Sequence, residues 1–565
     1  MKRKLILFFI GITLHTFSYS QNVAGTAVNT RDDNPYKKYL RPSLTVLYIS
    51  KEDERAKRMQ KVFETAKIPD KFNDNNLPTR SLQANTITFN FTKDLENTLT
   101  QNVSRELIAR WFSRNNKGEF SMDLIAERGL YNATDADVMK AQASQRKLDL
   151  LRDAGENLID RSYIVVYDVY NIKKLSETGN TSGLLGEREG YQCEFKTYLY
   201  KLDWTDSVAA IFYNTMWVDA GSFDFKKTEM FNMASFPIKF VGQAPVTMNR
   251  VTSAQYKDPA INPVKLSDDE LFAGLYDEIM LYSGVGLAKL NEDFKVKAPI
   301  FTTGPITAKI GLKEGLSVDK RFFAYEMQLD KNGNRKAVRK GVVRAGNKIS
   351  DNRGVSTGKS EASSFYQVYG KRLYPGMILQ ENPDWGMGFM LGWGNTLGIG
   401  HGLNATIESN VSMWAGKNGK IAPGIKVYLN GNLSATDLTV KIQNVDSTYS
   451  VVGGAAVGVS KDLNFMHYFV LTPFVGGGLE FLQNKNINDD PQYDEAKYNT
   501  YFAQVGSRFG ISILHNVQLV GNFSLNATIM GRPTEKGTGT ESVAEEIAKK
   551  RGSNSQLMIG IRFQY

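Results

Sequence analysis

The 565 residues carry 69 Lys and Arg against 59 Asp and Glu, a net charge of +10 that falls to +7 once the three cations at the amino terminus are set aside. That balance is mild for the length and, with the export signal below, argues against a nucleic-acid partner. The single cysteine, Cys193, excludes an intramolecular disulfide, and the lack of histidine from Gln21 to Gly400 excludes a histidine triad, a Cys-His dyad or an imidazole-rich zinc site there.

In chain order, "MKRKLILFFIGITLHTFSYS" has a basic start, an apolar run from Leu5 to Phe17 and small residues at Ser18 and Ser20. This pattern predicts a secretory signal peptide over 1–20, too short in its apolar part to span a bilayer as a helix. Gln21 stands where a lipid-anchored protein would carry cysteine. Nothing after Phe17 offers the unbroken apolar run of about eighteen residues that a transmembrane helix needs. Residues 21–41 lack periodicity and read as a flexible lead.

Residues 42–298 read as an α/β or α+β domain. "SLTVLYIS" and "SYIVVYDVY" are strands, and Leu95, Leu99, Val103, Leu107 and Trp111 stripe one face of a helix. A second helical run begins at "TDADVMK", and a third opens on Ser267 and Glu270 at capping-box spacing. Glu187 with Glu189, and Asp135 with Asp137, are close carboxylates suited to acid–base work only inside a cleft; solvation and helix capping explain them more simply.

Residues 299–382 read as a small β module, with an Asn332-Gly333 hairpin turn and a Pro-Gly turn in "LYPGMIL". The spacing of "KIGLKEGLSVDKRFFAYE" resembles small SH3-like barrels. Lys331, Arg335, Lys336, Arg339, Lys340, Arg344 and Lys348 cluster on its hairpin. They are a possible basic binding face for lipid headgroups, acidic polysaccharide or an acidic partner, against the plainer reading of a solvated strand face. "GVSTGKS" has three residues between its glycines where a phosphate loop needs four, and "DKNGN" lacks the glycine and glutamate of a calcium loop. No catalytic constellation, cofactor site or metal site follows from these residues.

Over 383–565 the texture becomes glycine-rich alternation. Met387, Phe389, Leu391 and Trp393 share one face; Leu403, Ala405 and Ile407 share another, opposite Asn404, Thr406 and Glu408. The pattern recurs at 425–433, 451–459, 469–481, 501–513, 517–529 and 557–565, making eight strands, most long enough for a tilted membrane crossing of about nine to eleven residues. The second face is small and polar, so in a closed barrel Glu408, Glu480, Arg508 and Arg562 would meet inside as a charge network. Long polar stretches join strands three to four ("TDLTVKIQNVDSTY"), five to six and seven to eight, while four to five and six to seven use short turns. Pro473 sits inside strand five, where it would disturb pairing.

The alternation, the loop parity and the ending "IGIRFQY" resemble small outer-membrane β-barrels of the OmpA/OmpX type. The resemblance implies an eight-stranded antiparallel transmembrane barrel. Tyr565 is then the terminal aromatic of the signal read by the outer-membrane assembly machinery, with Phe563, Ile561 and Ile559 in the lipid-facing register. Outer-membrane lipid and that machinery are the implied partners. An even strand count puts both barrel ends in the periplasm. The expected function is non-enzymatic: a barrel that anchors a periplasmic domain, which binds another envelope protein or the cell wall in a structural, assembly or secretion-associated role. The alternatives are an anchored hydrolase using carboxylates of the N-terminal domain, or a narrow pore.

Overall fold

The computed structural model describes residues 41–83, 88, 90–132, 157–183, 186–246, 249–329, 331, 335–353, 361–396, 400–412, 422–442, 445–484, 498–533 and 555–564. The signal peptide, the lead up to residue 40, the helical run beginning at "TDADVMK" with the Asp135–Asp137 pair, the Asn332-Gly333 turn, all of "GVSTGKS" and Tyr565 lie outside these residues. The chain forms two compact units, residues 1–296 and a second made of 297–353 with 360–565.

The first unit is an α/β sheet covered on both faces. Its strands are β1 (Ser43–Ile49), β2 (Asn73–Asp74), β3 (Ser81–Leu82), β4 (Ser162–Lys174), β5 (Ser182–Gly183), β6 (Gly186–Leu202), β7 (Ile238–Gln243) and β8 (Arg250–Tyr256). β1 runs parallel to β4, β4 antiparallel to β6, and β7 and β8 pair with successive stretches of β6. Tyr163, Val165, Tyr167 and Val169 enter one core with the helices Glu54–Thr65 and Asp268–Leu290; Ile164 and Val166 enter the other. A strand buried on both faces must be apolar throughout, which is how "SYIVVYDVY" reads.

The Leu95 to Trp111 stripe is buried as expected, but on two helices, Phe91–Asn102 and Ser104–Trp111, that break at Val103. Ser267 caps its helix in both directions: its hydroxyl accepts from the Glu270 amide at 3.3 Å and its amide donates to the Glu270 carboxylate at 2.8 Å. Cys193 is buried in the first core, where burial pushes its thiol up to about 12.

The second unit contains two closed barrels. The smaller has six strands, β9 (Lys297–Thr303), β10 (Ile306–Ala308), β11 (Arg321–Leu329), β12 (Arg335–Ala345), β13 (Ser363–Gly370) and β14 (Ile378–Glu381), in the order β10-β13-β12-β11-β14-β9. Phe322, Ala324, Val342, Val343, Phe365 and Leu379 fill it.

The larger consists of β15 (Met387–Thr396), β16 (Gly400–Asn410), β17 (Ile425–Ile442), β18 (Val445–Lys461), the short β19 (Leu463–Phe465), β20 (Phe469–Asn484), β21 (Tyr498–Leu514), β22 (Val517–Pro533) and β23 (Ser555–Gln564). All neighbours are antiparallel; β18 pairs with β20 and β15 with β23, which closes eight strands into a barrel beside which β19 is a short flap.

Two details differ from the sequence reading. "TDLTVKIQNVDSTY" is not a polar loop: β17 and β18 keep pairing out to Ile442 and Val445, because Leu438, Val440 and Ile442 continue the alternation. Pro473 is tolerated because β20 changes partner around it: pairing with β18 ends at Phe474, pairing with β19 begins at Leu471, and Thr472 and Pro473 fall between. Among the described residues no helix is long and apolar enough to cross a membrane.

Candidate functional site

The larger barrel is apolar outside and polar within. Leu391, Leu403, Ile407, Leu429, Val457, Val475, Val505, Phe523, Ile559 and Ile561 are all exposed, from 43% at Leu391 to 66% at Ile559. Exposing that area to water would be unfavourable, and no described element of the chain covers it, so hydrocarbon is its fitting medium. Phe563 continues the Ile559 and Ile561 column at the end of β23.

Inside, the same alternation turns Asn404, Thr406 and Glu408 of β16, Tyr428 and Asn430 of β17, Gln504 and Arg508 of β21, and Arg562 of β23 into the barrel, all buried. The Glu408 carboxylate pairs with Arg508 through one oxygen and with Arg562 through the other, the Arg562 Nε lying 3.0 Å away. Arg562 also reaches Asp462 at 3.1 Å, and Lys426 donates to Asp462 at 2.5 Å. The Arg508 guanidinium lies 5.1 Å from the Tyr428 ring centre and 4.8 Å from that of Phe474. Charges out of water persist only when paired, and each member of this network has a partner.

Three of the four charges named from sequence therefore come together. Glu480 does not join them: it is fully buried, but eight residues along β20 from Thr472, the residue opposite Arg508, or roughly 25 Å along the strand. Lys426 and Asp462 escaped the sequence reading. Lys426 was legible, since it extends the inward row of Tyr428, Asn430 and Asn432; Asp462 sits at a corner between strands, where alternation gives no direction. Among the described residues, a space of about 210 Å³ in the lumen is lined by Met390, Asn404, Tyr428, Phe474, Gln504 and Arg508.

The six-stranded barrel is seated on the end of the larger one where β15 begins and β23 ends. Asp319, fully buried, accepts from Tyr366 Oη at 2.6 Å in its own barrel, and from Ser412 Oγ at 2.8 Å and the Gly424 amide at 3.0 Å in the β16–β17 connection. Gly424 has φ +74°, and a Cβ there would press on the Asp462 carbonyl at 2.9 Å. Arg344 donates to the Asp319 carbonyl at 2.7 Å and pairs with Asp384, which Arg321 also approaches at 3.4 Å. Lys320 pairs with Glu381 at 2.8 Å. Around the rim, His515 meets Phe323 edge to face at 5.3 Å, Tyr369 meets Tyr468 at 5.5 Å, and a polar cleft of about 400 Å³ runs between Arg344, Tyr366, Lys426 and Asp462. Burial, then the guanidiniums of Arg339 and Arg321, hold His515 down at about 4.

The hairpin cations do not form one exposed face. Arg344 points inward and is buried in its pair with Asp384, so it leaves the proposed binding face. Lys340 pairs with Glu326 at 2.8 Å, Arg339 lies over Phe323 at 4.8 Å, and Lys331 and Lys336 are exposed; Arg335 ends the β12 pairing opposite Leu329. Lys348 is exposed beside Glu361 at 3.4 Å. Glu187 and Glu189 lie on β6, held by Lys257 at 2.7 Å and Lys265 at 2.8 Å.

No family model and no characterised relative matches the sequence. Among solved structures, a major outer membrane protein from Thermus thermophilus is similar at 12% identity and a TM-score of 0.23, covering 32% of this chain and 99% of that one. The Yersinia pestis outer membrane protein Ail, in a phospholipid bilayer nanodisc, is similar at 9% identity and a TM-score of 0.17, covering 32% of this chain and all of that one. The class rests on geometry: eight antiparallel strands, closure of the first on the last, an apolar exterior and a paired polar interior. The C-terminal part is a transmembrane β-barrel of the outer-membrane kind.

Proposed function

We propose that the chain is an outer-membrane anchor whose non-membrane parts lie in the periplasm, and that its α/β unit binds another component of the envelope. The observation that carries this reading is the filled barrel. With Glu408, Arg508, Arg562, Lys426 and Asp462 buried across its interior, the barrel serves to hold something rather than to conduct. The six-stranded barrel sits at the end where both barrel termini lie; an even strand count keeps the two termini on one side, and the short β18–β20 and β21–β22 connections at that same end support reading it as the periplasmic side. The exported, cysteine-poor α/β unit then faces the space between the membranes.

Crosslinking in intact cells followed by mass spectrometry tests this. The α/β unit should yield recurrent crosslinks to one envelope partner, and protease added outside cells should leave that unit whole. Cleavage of the unit from outside, or recovery of the protein alone in repeated experiments, would sink the proposal. Planar-bilayer recordings should show no single-channel currents; steady conductance would favour the pore. Glu187 and Glu189, each engaged by a lysine, support no hydrolytic reading beyond their residue type.

A further inference from the structure

At the rim nearest the small barrel, two lipid-facing columns of the larger barrel run out beside exposed cations. On β18, exposed Val457 and Val459 are followed by outward Lys461. On β21 the column ends at Ile513 and Leu514, 60% and 53% exposed, and the Ile513 carbonyl accepts from Tyr369 Oη of the small barrel at 3.5 Å. Just past Tyr369 come Gly370 and then Lys371 and Arg372, both exposed, and the Lys371 amide donates to the Lys340 carbonyl at 2.8 Å, next to Arg339. Arg339 is itself exposed and rests on Phe323, which touches His515 one residue beyond Leu514. Four exposed cations thus stand within one or two contacts of the apolar rim. Among the described residues none of the four is ion-paired, in contrast to the neighbouring Lys340, Arg344 and Lys320. Aromatic rings at Phe465 and Tyr468, 40% and 38% exposed, lie at the same level.

We infer that Arg339, Lys371, Arg372 and Lys461 form a collar for the phosphates of anionic phospholipid headgroups in the leaflet nearest the small barrel. Apolar side chains ending in aromatics, then in unpaired cations, follow the order of hydrocarbon, interface and phosphate in a bilayer. A soluble acidic partner would need the cations but not their continuity with the apolar columns. The inference rests on the barrel spanning a membrane.

The test uses the full-length protein reconstituted in nanodiscs of phosphatidylcholine and phosphatidylglycerol in equal amounts, with retained lipids counted by native mass spectrometry. Heat-dependent gel mobility shows separately whether the barrel has inserted and folded. The wild type should retain phosphatidylglycerol preferentially, by about fivefold per engaged cation. A variant combining Arg339→Gln, Lys371→Gln, Arg372→Gln and Lys461→Gln should retain the two lipids equally, whereas Lys331→Gln with Lys336→Gln, at the far tip of the hairpin, should behave as wild type. Should the fourfold variant not fold, the wild-type preference must still fall as salt rises. An inserted wild type without preference, a preference that survives the four substitutions, one lost with the hairpin-tip pair, or one insensitive to salt overturns the inference. Failure of the wild type to insert at all overturns the membrane reading itself.

Discussion

Glu408 is the residue about which the barrel interior is organised. One carboxylate bridges two buried guanidiniums from strands far apart in sequence, so its removal leaves Arg508 over its rings without a counter-charge. Glu408→Ala should cost about 3–5 kcal/mol, read as a lower urea midpoint for the heat-modifiable form in detergent micelles. His515 gives the junction a pH dependence. Its folded value of about 4 lies below its ordinary 6.5, so below that ordinary value the unfolded chain takes up the proton more readily. Its contribution is complete above about 6.5 and is lost as the pH falls towards 4. Proteolysis of the two-barrel unit should therefore accelerate across that window, and His515→Phe should flatten the response. Glu408, Arg508 and Arg562 were legible because each lies inside an alternating strand; the partners of His515 were not, because a turn residue has no face until the chain beneath it is placed.

At the level of elements, β17, β18 and β20 show how glycine and aromatic residues share a narrow lumen. Gly458 of β18 stands opposite Gly476 of β20; a Cβ on Gly458 would collide first with the Val475 carbonyl oxygen and lie 2.5 Å from the Tyr428 hydroxyl, and one on Gly476 would collide with that hydroxyl and lie 2.5 Å from the Val457 carbonyl oxygen. Gly458→Ala should therefore cost about 1–3 kcal/mol by overpacking, seen as slower or incomplete conversion to the folded gel form, with Tyr428→Phe relieving part of the defect. The glycines were visible in the sequence as an inner face, but the ring they accommodate was not, since register alone sets which strand fills the gap. The same limit appears at "TDLTVKIQNVDSTY", where polar composition suggested a loop and β-branched alternation carried the hairpin onward.

For the whole molecule, the junction between the two barrels is the feature that most constrains use. Asp319 takes three hydrogen bonds, two of them from the β16–β17 connection of the larger barrel. Asp319→Ala leaves those donors without their acceptor, which should weaken the seat by about 1–3 kcal/mol per donor. Limited proteolysis should then cut the six-stranded barrel faster while the transmembrane barrel keeps its heat-modifiable mobility; equal rates would show that the latch contributes nothing. A firm seat gives the small barrel a fixed attachment to the transmembrane barrel, which a flexible tether would not.

Period-two alternation and strand length by themselves determined that residues 383–565 form a membrane barrel, because in hydrocarbon every backbone amide must pair within the sheet and every outward side chain must be apolar. The same local patterning carried the α/β character of the first unit. Only the tertiary structure decided that Lys426 and Asp462 complete the interior network, that Arg344 turns inward, and that Asp319 joins one barrel to the other. Those are contacts between residues up to about a hundred positions apart, and a buried charge takes its meaning from the partner that the fold brings to it.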